Sequence, residues 1–383
     1  MGKEPRKQQS PQQSIDIPPF RQRFPWIGGD LQTVRDTLRP TLLPPDTGQS
    51  IFIAVPPLPK EESSSGFLLA ILDTPPAQTP LRALVLLLHG LGGSSSRRGV
   101  RRLALVLLHS GFAVLRLNLR GADPGRHLIS GTYAACCNSD MLPVLQQARK
   151  LCDLLAQVSL RKKALPLFGA GISLGGTILL NACLDPLIPD SIGSPSLDAL
   201  VCASSPLDLA VCSKSIERPR NHLYQRWLLR RLVRQALADP FGVTPKEFWQ
   251  LTEGDVGGPP RTIRAFDAAV TAPRWGYNSV EDYYQHASPL PGLLTSEQGK
   301  GYSLPPTLIL QALDDPWVPA VTAQRLAAAS QSQTFTRGSI QVSLTTYGGH
   351  NGFHGRLPNG QRGCWADVLL SHWLSERCSV ASA

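Results

Sequence analysis

No apolar run in this chain of 383 residues approaches the length of roughly 20 that a helix needs to cross a bilayer, so the sequence offers no membrane span. The segment from Met1 to Gln13 is polar and has no apolar stretch of the kind a secretory signal requires; residues 1–20 are expected to form a disordered polar leader and the chain to be cytoplasmic, with peripheral membrane contact as an option. The cysteines follow no regular framework. Cys136 and Cys137 are adjacent, the other six are scattered, and no Cys-x-x-Cys pair occurs, which speaks against a disulfide scaffold or a zinc ribbon and for buried free thiols. No His-Glu-x-x-His or comparable ligand set is present, so neither a metal nor another cofactor is expected. The formal charge of +10 is accompanied by no recognised nucleic-acid module, which leaves such a partner without support. Internal repeats are missing as well.

What the chain does contain is an apolar run, Leu165 to Ala170, that enters Gly171-Ile172-Ser173-Leu174-Gly175-Gly176. This Gly-x-Ser-x-Gly pattern reads as a nucleophile elbow, in which a serine is held on a tight strand-to-helix turn and side chains at the two glycines would collide with neighbouring backbone. Ser173 would then present its hydroxyl at a helix N-terminus, where developing negative charge is favoured. Such an elbow requires an acid and then a histidine further along the chain.

Both follow in that order. The strand-like run from Thr307 to Leu313 breaks at Asp314-Asp315-Pro316-Trp317-Val318-Pro319, and a carboxylate at such a break is placed to orient an imidazole. Adjacent strand residues point to opposite faces, so only one aspartate can serve. Asp315, just ahead of the Pro-x-Val-Pro turn, is preferred, with Asp314 as the alternative. A second strand-like run ends in Gly348-Gly349-His350, and His350 is the base candidate, whereas His354 lies past the Gly-Gly break. Upstream, the apolar segment Ala83 to Leu88 runs into His89-Gly90-Leu91-Gly92-Gly93. The turn there should give one backbone N–H of an oxyanion hole, from Leu91, with that of Leu174 as the other.

These motifs, together with Leu31-Gln32-Thr33, Asn118-Leu119-Arg120-Gly121, Ser205-Pro206-Leu207-Asp208, Phe266-Asp267, Thr271-Ala272-Pro273 and Tyr283-Tyr284, resemble the YheT family of α/β-hydrolases, relatives of the eukaryotic abhydrolase-domain esterases of membrane lipids. The resemblance spans most of the chain after about residue 20. Asp30 stands where the family usually has a histidine, Thr177 where an asparagine is common, and the segment from Tyr133 to Asp140 departs from the family pattern. The resemblance implies a serine hydrolase acting on carboxylic esters, with acyl lipids or esters of short or medium chain length as candidates, and without a cofactor. Thioesterase, amidase or acyltransferase chemistry on the same triad, or a non-catalytic binding protein on this scaffold, are the alternatives. For Arg120, Asp140 and Asp267, which recur in the family, the reading from the residues is that they brace loops.

Strand-like segments near 50–55, 66–73, 83–88, 113–119, 165–171, 199–204, 307–313 and 339–347 predict a mostly parallel sheet flanked by helices. The alternation stops between residues 207 and 300. That stretch is rich in helical patterns and reads as a helical cap inserted between strands six and seven, dividing the core into residues 21–206 and 301–383. Trp249, Trp275, Tyr283 and Tyr284 are its candidate pocket residues. Within it, Arg218, Arg220, Arg226, Arg230, Arg231 and Arg234 interleave with Leu223, Trp227, Leu228, Leu232 and Val233 as an amphipathic helix. Such a helix can pack on the core with a solvated basic face, form part of the cap, or touch anionic lipid. A second arginine group, Arg97, Arg98, Arg101 and Arg102, precedes Leu103, Leu105 and Val106 on what reads as the apolar side of a helix. Nothing in the sequence sets an oligomeric state.

Overall fold

The computed structural model describes residues 17–59, 65–188, 196–254, 257–295, 304–331 and 340–380. Residues 1–16 of the expected leader, and most of the serine run at 63–65, lie outside them. Eight strands form one sheet: β1 (Gln49–Val55), β2 (Gly66–Asp73), β3 (Ala83–Leu88), β4 (Phe112–Leu117), β5 (Leu167–Ile172), β6 (Ala199–Ala203), β7 (Thr307–Ala312) and β8 (Ile340–Thr345). Their order is 1-2-4-3-5-6-7-8, with β1 and β2 antiparallel to their neighbours and every pairing from β4 to β8 parallel.

The continuous apolar composition of the inner strands fits burial on both faces. In β3, Leu84, Leu86 and Leu88 pack into the core on one side of the sheet, and Ala83, Val85 and Leu87 into that on the other. After α1 (Gly29–Leu38) come α2 (Arg98–His109), α3 (Asn138–Val158) and α4 (Leu174–Leu184). Between β6 and β7 run α5 (Leu209–Ile216), α6 (His222–Leu237), α7 (Pro245–Thr252) and α8 (Val280–Ala287), and the chain continues through α9 (Val321–Ser330) to α10 (Trp365–Val380). The first core is filled by α3 and α4, the second by α2 and α10.

Two expectations change. Residues 17–20, counted with the leader, pack against the second core: Phe20 lies edge-on to Phe353 at 5.7 Å, and Trp365 Nε1 donates to the Pro18 carbonyl at 2.8 Å. The buried stripe of α2 is Val100, Leu103, Ala104 and Leu107, while Leu105 and Val106 are only half-buried. Arg102 is drawn inward, with Nε 2.5 Å from Asp367 and Nη1 on Asp36, so part of the basic excess is neutralised internally.

The Asn118-Leu119-Arg120-Gly121 motif ends β4 by side-chain chemistry. Asn118 accepts from the Ser95 N–H and donates to the Leu69 carbonyl. Arg120 forms a fully buried two-point pair with Asp140 (2.9 and 2.5 Å) and also donates to the Ser130 and Pro56 carbonyls. Buried pairs of this kind hold two charges that are each costly alone. Arg120→Met is therefore expected to destabilise the protein by about 3–5 kcal/mol, and Arg120→Met with Asp140→Leu to regain most of the loss. Urea-unfolding midpoints of the single and double variants measure it.

Candidate active site

At the end of β5 the backbone turns sharply into α4, and Ser173 takes φ 53° and ψ −126°, a conformation rare for a residue with a side chain. Two glycines make the turn passable. A Cβ at Gly171 would lie 2.2 Å from the Gly176 Cα, and one at Gly175 would lie 2.5 Å from the Leu88 carbonyl oxygen. The Ser173 N–H is bonded to the Ala203 carbonyl on β6. The serine is thus fixed to the sheet by its backbone while its hydroxyl faces a cleft.

His350 and Asp315 meet it there. Asp315 Oδ2 is 3.0 Å from His350 Nδ1, and His350 Nε2 is 3.0 Å from Ser173 Oγ. A carboxylate only accepts, so Nδ1 carries the proton and Nε2 is left to accept from the serine hydroxyl. The other carboxylate oxygen of Asp315 accepts the N–H groups of Trp317 and Val318, and Gln311 donates to Oδ2. Asp314 instead braces the loop that carries His350, its Oδ1 accepting the Gly349 N–H at 2.8 Å. In the same loop the His350 N–H bonds to Thr33 Oγ1 and the Asn351 N–H to Ser204 Oγ. His354 lies apart from Ser173, buried against Asp36 with Nε2 at 3.2 Å. Gln32 closes the same region by donating to the Trp26 and His354 carbonyls and accepting the His354 N–H.

The turn after β3 is held from three directions. Leu119 N–H donates to His89 Nε2, so Nδ1 bears the proton and donates to the Gly90 carbonyl. Burial pulls the His89 pKa down to about 4, keeping the ring neutral. The Gly92 N–H is bonded to the Tyr133 hydroxyl at 2.6 Å, and the Gly92 carbonyl accepts from Arg231 of α6 at 2.5 Å and from Arg97 at 3.4 Å. Leu91 and Leu174 both border the cleft beside Ser173, and neither backbone N–H has an acceptor among the described residues. For Leu174, the first residue of α4, this is the ordinary state of a helix N-terminus.

Ser173 and His350 open onto a cavity of about 350 Å³ whose walls are chiefly apolar, with Leu174, Leu209, Ile216, Leu228 and Ile263 among them. Tyr283 and Tyr284 line it as expected, whereas Trp249 and Trp275 do not; Trp249 is 41 % exposed, and Trp275 is buried beside the Arg120 guanidinium with Nε1 on the Thr132 carbonyl. Three lining residues escape the sequence reading. Trp317 stacks on the His350 ring at 4.4 Å, and its position two residues after Asp315 is the available signal. Trp227 borders the cavity from α6. Asp267, expected to brace a loop, does accept from Thr271 at 2.7 Å and Tyr284 at 2.8 Å, but it also lines the cavity from a π-helical turn over Asp267–Thr271. Burial raises its pKa to about 6 against the opposing pull of those two hydroxyls.

Residues 83–354 match the family model described as alpha/beta hydrolase fold. Human Phospholipase ABHD3 is 28% identical over 273 residues, covering 71% of this chain and 59% of its own length. YheT of Escherichia coli (strain K12) is 28% identical over 304 residues, covering 78% of each chain. In fold, the chain is similar to a crystal structure of a soluble variant of monoglyceride lipase from Saccharomyces cerevisiae, with TM-score 0.50 and 15% identity over 88% of this chain and 99% of that one. With a family model that spans most of the chain and a mostly parallel eight-stranded sheet, the protein belongs to the α/β-hydrolase fold family, and in sequence it is similar to YheT.

Proposed function

We propose that the chain is a serine hydrolase that cleaves carboxylic esters through an acyl-enzyme. The observation that carries this reading is the continuous relay from Asp315 through His350 to Ser173, at 3.0 Å for each link, with the serine on a strained turn facing an apolar cavity. In the first half-reaction His350 Nε2 takes the Ser173 proton as Oγ attacks the ester carbonyl. The oxyanion would be met by the N–H groups of Leu91 and Leu174. His350 then returns the proton to the departing alkoxide, and water repeats the sequence to release the acid and free Ser173. Asp315 keeps the imidazole in the tautomer this requires and favours its charged form.

The apolar cavity suits an acyl chain, and a phospholipase among the relatives supports acyl lipids or medium-chain esters as the substrate class. The helices between β6 and β7, in the stretch expected at residues 207–300, serve in this reading as the cap over the cavity.

Labelling of the purified protein by a fluorescent fluorophosphonate, beside a panel of p-nitrophenyl esters, tests the assignment. Wild type should label and hydrolyse, and Ser173→Ala should do neither; a folded wild type that takes no label overturns the reading. Asp315→Asn should lower kcat by about 10⁴-fold, the loss typical of a mis-set imidazole tautomer. Asp314→Asn, which keeps an acceptor oxygen for Gly349, should change kcat by less than about ten-fold. Steady-state kinetics on one ester separate the two aspartates.

Asp267 gives a pH signature. Its folded pKa, about 6, stands above the usual value for an aspartate, so its contribution to stability is fully present below about pH 4 and is lost as pH rises through 6. Asp267→Asn should therefore match wild type in stability near pH 3 and exceed it by up to about 3 kcal/mol at pH 7.5. Denaturant unfolding of both proteins across that range measures the difference.

A further inference from the structure

The arginines of α6 separate into two groups by what they touch. Arg220, just before the helix, pairs with Asp30 at 2.9 Å, and Arg231 grips the Gly92 carbonyl. Arg226, Arg230 and Arg234 are exposed and, with Arg261 across the way, line an open groove of about 1250 Å³. None of these four has an ion-pair partner among the described residues. Among the described residues that line the groove, Glu217 is the one carboxylate.

The same outward face carries apolar side chains that water does not favour. At about 100° per residue, Leu223, Arg226, Trp227, Arg230, Arg234 and Leu237 fall within an arc of roughly 100°, opposite the buried stripe of Gln225, Leu228, Leu229, Leu232 and Ala236. Leu223 is 82 % exposed and Trp227 48 %. Trp227 also borders the cavity that holds Ser173, so this face runs from the basic groove to the rim of the cleft. Cationic side chains interleaved with leucine and tryptophan on one helix face are the composition of a helix that lies in a membrane interface. A nucleic acid would use the charges but leave Leu223 and Leu237 with nothing to gain. No helix among the described residues is long and apolar enough to cross a membrane, so the contact would be peripheral.

We propose that the outer face of α6 docks on an anionic phospholipid bilayer, with Arg226, Arg230, Arg234 and Arg261 against the headgroup phosphates and with Leu223 and Trp227 entering the interface. Docking in this orientation sets the rim of the cavity at headgroup level. The four arginines supply the selectivity for anionic lipid, and the two apolar side chains supply a component that salt does not screen.

Co-sedimentation with phosphatidylglycerol–phosphatidylcholine vesicles and with pure phosphatidylcholine vesicles, at two salt concentrations, tests the proposal and reads binding whether or not any ester is cleaved. Wild type should bind the anionic vesicles, more weakly at high salt, and bind phosphatidylcholine poorly. Replacing Arg226, Arg230 and Arg234 together by Gln should weaken partitioning by about a hundred-fold, near five-fold for each arginine. Leu223→Asn should weaken it by roughly ten-fold at either salt concentration. Both variants should keep the wild-type melting temperature and the wild-type rate on dissolved p-nitrophenyl butyrate, which excludes misfolding as the cause. Equal binding to both vesicle types, no binding by wild type, variants that bind like wild type, or tighter binding to a short DNA duplex than to the vesicles would each overturn it.

Discussion

The geometry of the cleft depends on how one loop is tethered. Between β8 and α10 the backbone N–H groups of Gly349, His350 and Asn351 are taken, in succession, by the side chains of Asp314, Thr33 and Ser204. Those partners come from the end of β7, from α1 and from the end of β6, so three separate parts of the chain fix one imidazole. A histidine on a free loop would sample many rotamers, and holding it within hydrogen-bond reach of both a serine and a carboxylate calls for this degree of constraint. Glycine at 349 is part of the same device. Its φ is +58°, and a Cβ there would sit 2.3 Å from the Gly29 carbonyl oxygen, so α1 can approach only because the side chain is missing.

The Leu31-Gln32-Thr33 triplet gains a physical meaning from this arrangement. Gln32 is almost wholly buried and exchanges hydrogen bonds with the backbone of His354, while Thr33 holds His350. The segment that precedes the sheet therefore acts on the far end of the chain. Asp30, where the family usually has a histidine, points the other way and joins Arg220 and Tyr224, which lie between β6 and β7.

The strands are legible because each is a short apolar run bounded by turn residues, and seven of the sheet's pairings join runs that periodicity alone marks out. Ser173, Asp315 and His350 are legible for a related reason: each stands where such a run breaks. What stays hidden is whatever depends on contacts between distant segments. Nothing local distinguishes Arg231, which holds Gly92, from Arg230, which faces solvent, although they are neighbours in sequence. Asp267 is equally opaque, since it looks like any loop carboxylate, and Trp317 betrays itself only by its place two residues after Asp315, until the fold sets both around the same cavity.

The grip on Gly92 has a mechanical consequence. Its N–H is held by Tyr133, which belongs to the core, and its carbonyl by Arg231, which belongs to α6. One residue, through its two flanking peptide groups, is therefore strung between the core and α6. Outward displacement of α6 must either break the Arg231 contact or draw the Leu91–Gly92 turn with it, so for as long as that contact holds the position of the helix is coupled to the backbone beside Ser173.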